Sequence, residues 1–172
     1  MSLHIEGSGQ EKVMARAMGW IYSTISNLKV PATQNHPIQI DIAHSTLDQK
    51  KMESLLWKGQ MSNGIFRVEL ARGTTLMNQN LGVSVGASSW AAFAGNNENV
   101  VVNGDIASIE DEVPFVIKEL LNGNIQVTSI HTHMTQETPK LVFIHFFGVG
   151  KLETIAPAVY EAIWTKEHFQ SQ

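Results

Sequence analysis

Seven histidines are spread along this 172-residue sequence, and three of them, His131, His133 and His145, fall in two neighbouring β-patterned segments, IQVTSIHTHM and KLVFIHFFGVG. Residues two apart on an extended strand share a face, so His131 and His133 point the same way and can meet at one metal ion. A hairpin joining the two segments brings in the third. Directly opposed residues of antiparallel strands also share a face. If His131 stands opposite His145, Thr135 stands opposite Leu141, and residues 136–140 form the loop. A register shifted by one residue sends His145 to the other face. The segment LVFIHFFGVG is apolar on both faces, so His145 is expected to lie away from water, where an imidazole needs a hydrogen-bond partner or a metal.

Neutral imidazoles ligate zinc and other borderline metals, and three of them with one open position form a familiar catalytic geometry. A carboxylate from Glu110, Asp111 or Glu137 can complete the shell or act as a base, and spacing does not choose among them. Two other readings of the same residues stay open: metal-free acid/base chemistry, and a structural cluster bonded internally or to carboxylates. His4, His36, His44 and His168 read as terminal or loop residues. The run Glu110-Asp111-Glu112 also has a plain explanation as the acidic first turn of a helix. Gly148-Val149-Gly150 ends a strand just before the last helix, where its backbone N–H groups could hold an anion, though a turn is the better reading. Ser88 and Ser89 lack the pattern of a nucleophile elbow, and Arg67 and Arg72 are candidates for an anionic ligand.

The elements that must position these residues follow from periodicity. Met14, Met18, Ile21, Ile25 and Leu28 form a helical stripe with an a/d rhythm, read either as a helix packed on its own sheet or as a dimer seam. A loop with two prolines follows, then a short strand around residues 38–42. Ser45 or Thr46 is expected to cap a second helix through about Lys58, with Gly59 at its C-terminus. GIFRVELAR alternates as a strand; LGVSVGASSWAAFAG suits one or two strands with a bend; VVVNGDIAS is a buried strand after the turn GNNEN. A helix then starts after Ser108, with Pro114 in its first turn and a stop at Asn122-Gly123. Leu152, Ile155, Val159 and Ile163 mark a closing helix that Pro157 starts or kinks. Strands cluster instead of alternating with helices, so the expected fold is α+β: a mainly antiparallel sheet with helices packed on it, ending strand-helix-hairpin-helix. The whole reads as a single domain, 1–172, with an N-terminal helix and loop extension over 1–45 and a core over 46–172.

Composition narrows the function. The hydrophobic fraction is 43% and the charged fraction 16%, which excludes a disordered chain and hints at surface covered by a partner subunit. A net charge of -4 without a basic run excludes the electrostatic footprint of a nucleic-acid binder. There are no cysteines, hence neither disulfides nor thiolate sites. No apolar run approaches the ~20 residues of a membrane span. The first residues do not read as a signal peptide, so the expected location is cytoplasmic, or extracytoplasmic if a leader once preceded them.

The segments SSWAAFAG, VVVNGDIASIEDEV, IQVTSIHTHM and LVFIHFFGVG together resemble the LppY/LpqO family, a bacterial domain of unknown function. The matching positions are Ser89 to Phe93, Gly104, Asp105, Glu110 to Val113, His131, His133, His145, Gly148 and Gly150, and the resemblance spans roughly 64–163. It implies that the three histidines belong together, and it carries no reaction. The sequence departs from the family at Ala71-Arg72-Gly73-Thr74, where an Arg-Pro-Asp-like stretch is expected, and in having one copy of the domain without a leader.

The expectation is therefore a metal-dependent enzyme of hydrolase or lyase type. Its ligands are His131, His133 and His145, its base is Glu110 or Asp111, and its cofactor is a divalent metal with zinc as first choice. The partners expected are a small-molecule ligand and a second copy of the chain. The alternatives are a non-catalytic small-ligand or metal-binding module, and a structural dimeric protein.

Overall fold

The computed structural model describes residues 8–27 and 44–164. Two compact units divide the chain at residue 39/40. The first contributes helix α1 (Glu11–Ser26), formed where the a/d stripe predicts it. None of its residues is buried. Leu28, the expected strand near residues 38–42, and His4, His36 and His168 lie outside the described residues.

The second unit is the α+β domain that the sequence predicts. In order it contains α2 (Gln49–Leu55), β1 (Gln60–Ser62), β2 (Ile65–Ala71), β3 (Thr74–Leu76), β4 (Gln79–Leu81), β5 (Ser88–Gly95), β6 (Val100–Ser108), α3 (Val113–Asn122), β7 (Gln126–His131), β8 (Val142–Gly150) and α4 (Leu152–Ile163). Six strands form one antiparallel sheet in the order β1-β2-β5-β6-β8-β7; β3 and β4 form a separate two-stranded ribbon.

Period-2 alternation assigns the faces. Phe66, Val68, Phe93, Val102, Ile106 and Phe146 are buried in one cluster with Val116 and Leu120 of α3 and Ile155 and Val159 of α4. That cluster is the main core, and it occupies one face of the sheet. The other face carries Glu69, Trp90, Asn103, Asp105, His145 and Ser129, of which all but Asn103 stand in one cross-strand row. A smaller cluster of Ala87, Ala107, Leu141 and Phe143, flanked by Leu81 and Ile109, closes one end of this second face.

Several boundaries differ from the sequence expectation. Helix α2 is shorter and is capped by Asp48, whose carboxylate accepts the Lys51 N–H at 2.8 Å. Asp48 stands where its side chain reaches the orphan amides of the first turn, as Ser45 and Thr46 do not; the Ser45 hydroxyl instead bonds the Gly95 backbone. A 3-10 turn, Glu110–Glu112, precedes α3, and Pro114 sits in the first turn of α3 as expected. Pro157 lies inside α4. Gly148 and Gly150 are strand residues of β8 and not a turn.

The acidic turn is tied down from below. Glu112 is 3% exposed and pairs with Arg72 at 2.7 Å, while its second oxygen accepts the Ile109 N–H at 3.0 Å. Breaking a buried pair from one side typically costs about 3 kcal/mol or more, because the remaining charge stays desolvated. The pair of exposed Lys118 with half-buried Glu119, at 3.9 Å, is worth less than ~1 kcal/mol. In urea denaturation, Arg72→Met should therefore lower stability by about 3 kcal/mol, while Lys118→Met should stay within about 0.5 kcal/mol of wild type. Equal effects would show that the Arg72 pair does not anchor the turn.

Gly104 of β6 makes a second constraint. A Cβ there would strike the Trp90 carbonyl and the Phe146 ring. Overpacking of this kind costs ~1–3 kcal/mol, so Gly104→Ala should lower the melting temperature measurably. Unchanged melting would show that β5 and Phe146 can move apart.

Candidate metal centre

The site is built on three adjacent strands. β6 supplies Asp105, and β8 places His145 directly opposite it. On the other side of β8, Ser129 stands opposite His145, Ile130 opposite Ile144 and His131 opposite Phe143. His131 is thus two residues along from the expected position opposite His145, and the even shift keeps both on one face. The chain leaves the ladder at Thr132 because Thr138 pairs with Thr75 of β3 (N–H to O distances of 2.8 and 2.9 Å) instead of continuing the hairpin. The loop therefore runs over 132–141, and the expected Thr135–Leu141 pair does not form. Within it, Glu137 accepts the Leu141 N–H at 3.1 Å. A bulge between Val127 and Ser129 absorbs an extra residue in β7.

Strand β7 ends at His131, so the shared face of His131 and His133 is not a strand property. His133 is placed by packing: its ring lies flat on Phe143, with centroids 3.3 Å apart and planes 3° apart. Phe143 is fully buried in the smaller cluster, which fixes the plate on which His133 rests. The His131 and His145 rings stack at 4.8 Å and 6°, and His131 and His133 lie 5.2 Å apart. His131 Nδ1 and the Ser129 hydroxyl share a hydrogen bond at 3.2 Å. One potential ligand atom from each of His131, His133 and His145 lies within 4.8 Å of the other two, and among the described residues these three form the group able to hold a metal ion.

Asp105 stands beside them. Its Oδ2 is 3.5 Å from His145 Nε2 and 3.7 Å from His133 Nε2. The carboxylate side chain is 6% exposed, and its Oδ1 has no hydrogen-bond partner. Burial pushes the Asp105 carboxyl up to about 7, since a desolvated carboxylate holds its proton unless a positive charge offsets the lost hydration. The His133 and His145 side chains are 14% and 23% exposed, while their Nε2 atoms, which face Asp105, are buried.

The other residues singled out by sequence are distributed differently. Glu110 and Asp111 are exposed on the 3-10 turn and do not belong to the histidine group. Glu110 lines a surface cleft with Val113, Pro114, Thr132, Lys140 and Val142. Arg72 is committed to Glu112, and Arg67 lies over the Trp90 ring at 4.7 Å and 3.4 Å from Glu69. Ser88 and Ser89 are strand residues, bonded to Glu69 and to the Ala107 backbone. His44 is exposed.

Spacing alone does not single out Asp105, which the sequence brings in only through the family resemblance. The signal was present: it is the one ionisable side chain in VVVNGDIAS, a strand otherwise apolar enough to be buried. Its parity places it on the face away from the helices, which no reading of β6 alone reveals.

Among the described residues, no helix is long and apolar enough to cross a membrane. Searches of curated proteins and of solved structures give no match. A family model described as a Domain of Unknown Function (DUF1259) matches residues 50–164, a stretch that holds the six-stranded sheet, the three helices around its core, Asp105 and all three histidines, and the chain belongs to that family.

Proposed function

We propose that this domain is a metal-dependent enzyme of hydrolase or lyase type, with a divalent ion, zinc as first choice, held by His131, His133 and His145. The observation that carries the reading is the convergence of three imidazole ligand atoms within 4.8 Å on one sheet face. A buried carboxylate oxygen without a partner, Asp105 Oδ1, adds to it, because an electron-rich pocket of this kind suits a cation. When bound, such an ion supplies Lewis-acid polarisation or an activated water. The chain's own part is orientation. Phe143 holds the plane of His133, and Ser129 occupies His131 Nδ1 and so leaves Nε2 for the metal. Of the base candidates, Glu110 and Asp111 sit on the exposed turn.

The same reading places a small-molecule ligand on the open sheet face, where Trp90 and Phe147 are half-buried and Asn103 is exposed around the Asp105–His145 pair. It also includes a second copy of the chain, paired through the stripe of α1, whose Val13 and Trp20 are 59% and 71% exposed. The resemblance to LppY/LpqO is a narrower placement of the same kind; its four segments all fall inside the matched residues 50–164.

Metal analysis of protein purified without an affinity tag tests the core of this proposal. Stoichiometric zinc, manganese, iron or nickel, bound or bindable, is expected, and its absence sinks it. His133→Ala should weaken binding roughly 100-fold or more; unchanged affinity moves the site elsewhere. Metal without turnover on a broad hydrolase and lyase panel favours a binding module. A chain that stays monomeric at high concentration in sedimentation removes the dimer.

Ligand linkage gives an independent readout. At a metal concentration ~100-fold above Kd the native state gains about 2.7 kcal/mol, which for a chain of this size is a rise in melting temperature of roughly 5–10 °C. A chelator should reverse it, and His133→Ala should abolish it. A shift that persists in this variant would place the stabilising ion outside the histidine cluster.

A further inference from the structure

We infer that Asp105 is itself a metal ligand, so that the site is a mixed nitrogen–oxygen centre and not an all-histidine one. This rests on the reading of the histidine cluster as a metal centre and extends it to the donor set and the kind of metal it selects.

The argument is geometric. Two donors on one tetrahedral ion with bonds of ~2.0–2.1 Å lie about 3.3 Å apart, by the geometry of the tetrahedron. Asp105 Oδ2 is 3.5 Å from His145 Nε2 and 3.7 Å from His133 Nε2, within a few tenths of an ångström of that edge. Both distances run to the same oxygen and to the same nitrogen type, so one ion in front of Oδ2 faces both rings. Small side-chain rotations close the remaining gap. The other oxygen, Oδ1, is buried and has no hydrogen-bond partner, so no neighbouring donor holds the carboxylate in another orientation through that atom.

The framework fixes Asp105 there. Gly104, under the Trp90 carbonyl and the Phe146 ring, sets the close packing of β6 against both neighbours. The cross-strand pairing of Asp105 with His145 then puts the carboxylate and the imidazole side by side on the open face. His131, whose Nδ1 is shared with Ser129, has a ligand atom within 4.8 Å of those of His133 and His145 and would complete a set of three nitrogens and one oxygen.

A carboxylate changes which metals the site takes. An all-imidazole site is suited to zinc, copper and nickel; adding an anionic oxygen donor brings in manganese and ferrous iron, and neutralises part of the ion's charge. The wild-type protein is therefore expected to bind Mn2+ as well as Zn2+.

The test is a titration of the full chain with Mn2+, followed by its electron paramagnetic resonance signal, and with Zn2+, followed by calorimetry. It uses wild type, Asp105→Asn, Asp105→Ala and His133→Ala. Asp105→Asn removes a charge from a buried position without changing shape, so the metal-free variant should melt no lower than wild type. Its Mn2+ affinity should fall roughly 100-fold, and its Zn2+ affinity should fall less. Asp105→Ala, which removes both oxygens, should behave alike and stands in if the first variant does not fold. If His133→Ala abolishes binding while both Asp105 variants hold Mn2+ within about threefold of wild type, Asp105 is not a ligand and the histidine centre survives. If wild type binds neither metal, the metal centre fails, and this inference with it.

Discussion

The pairing of β8 with β6 on one side and β7 on the other holds the site together. Strand β8 runs down the middle of this half of the sheet, and its side chains alternate between two different environments. One set, with Ile144 and Phe146, is sealed under α3 and α4; the other, with Phe143 and His145, meets the open face. A slip of one residue would drive His145 into the main core and expose Phe146 or Ile144. The burial of those two side chains, worth roughly 1.5–3 kcal/mol each, therefore also enforces the histidine register. Stability and site geometry are set by the same alternation.

The carboxylate works against that stability. Asp105 is buried among imidazoles with one oxygen unpartnered, and its carboxyl sits near 7 where an exposed one would be ionised well below that. A fold optimised only for its own persistence would put an apolar residue there. A cost tolerated at a point of this kind marks a candidate functional position.

Much of this was legible in the amino-acid sequence. Alternation in GIFRVELAR and VVVNGDIAS marks strands that are found, the acidic turn before Pro114 marks the start of α3, and the spacing of Leu152, Ile155, Val159 and Ile163 marks α4. The convergence of the three histidines was legible as a parity condition, and the parity is even. What sequence could not supply was long-range. The loop over 132–141 is shaped by Thr75, a residue distant in sequence, so no local turn rule could find it. Asp105 gains its meaning only from β8, and Arg72 only from Glu112 across the fold. The N-terminal stripe predicts its helix but not what, if anything, its apolar side meets.

The smaller cluster around Phe143 has a consequence of its own. It joins the β3–β4 ribbon, through Leu81, to the loop that carries His133, and it is separate from the main core. Cooperative units built on so few apolar contacts open at a lower free-energy cost than the whole domain. The ribbon and the 132–141 loop thus form a segment whose amides should exchange with solvent before those of the six-stranded sheet, and each such opening lifts His133 off Phe143, which stays in β8 with His145. Of the candidate donors, Asp105, His131 and His145 are thus held by strands of the sheet, and His133 alone rides on the loop.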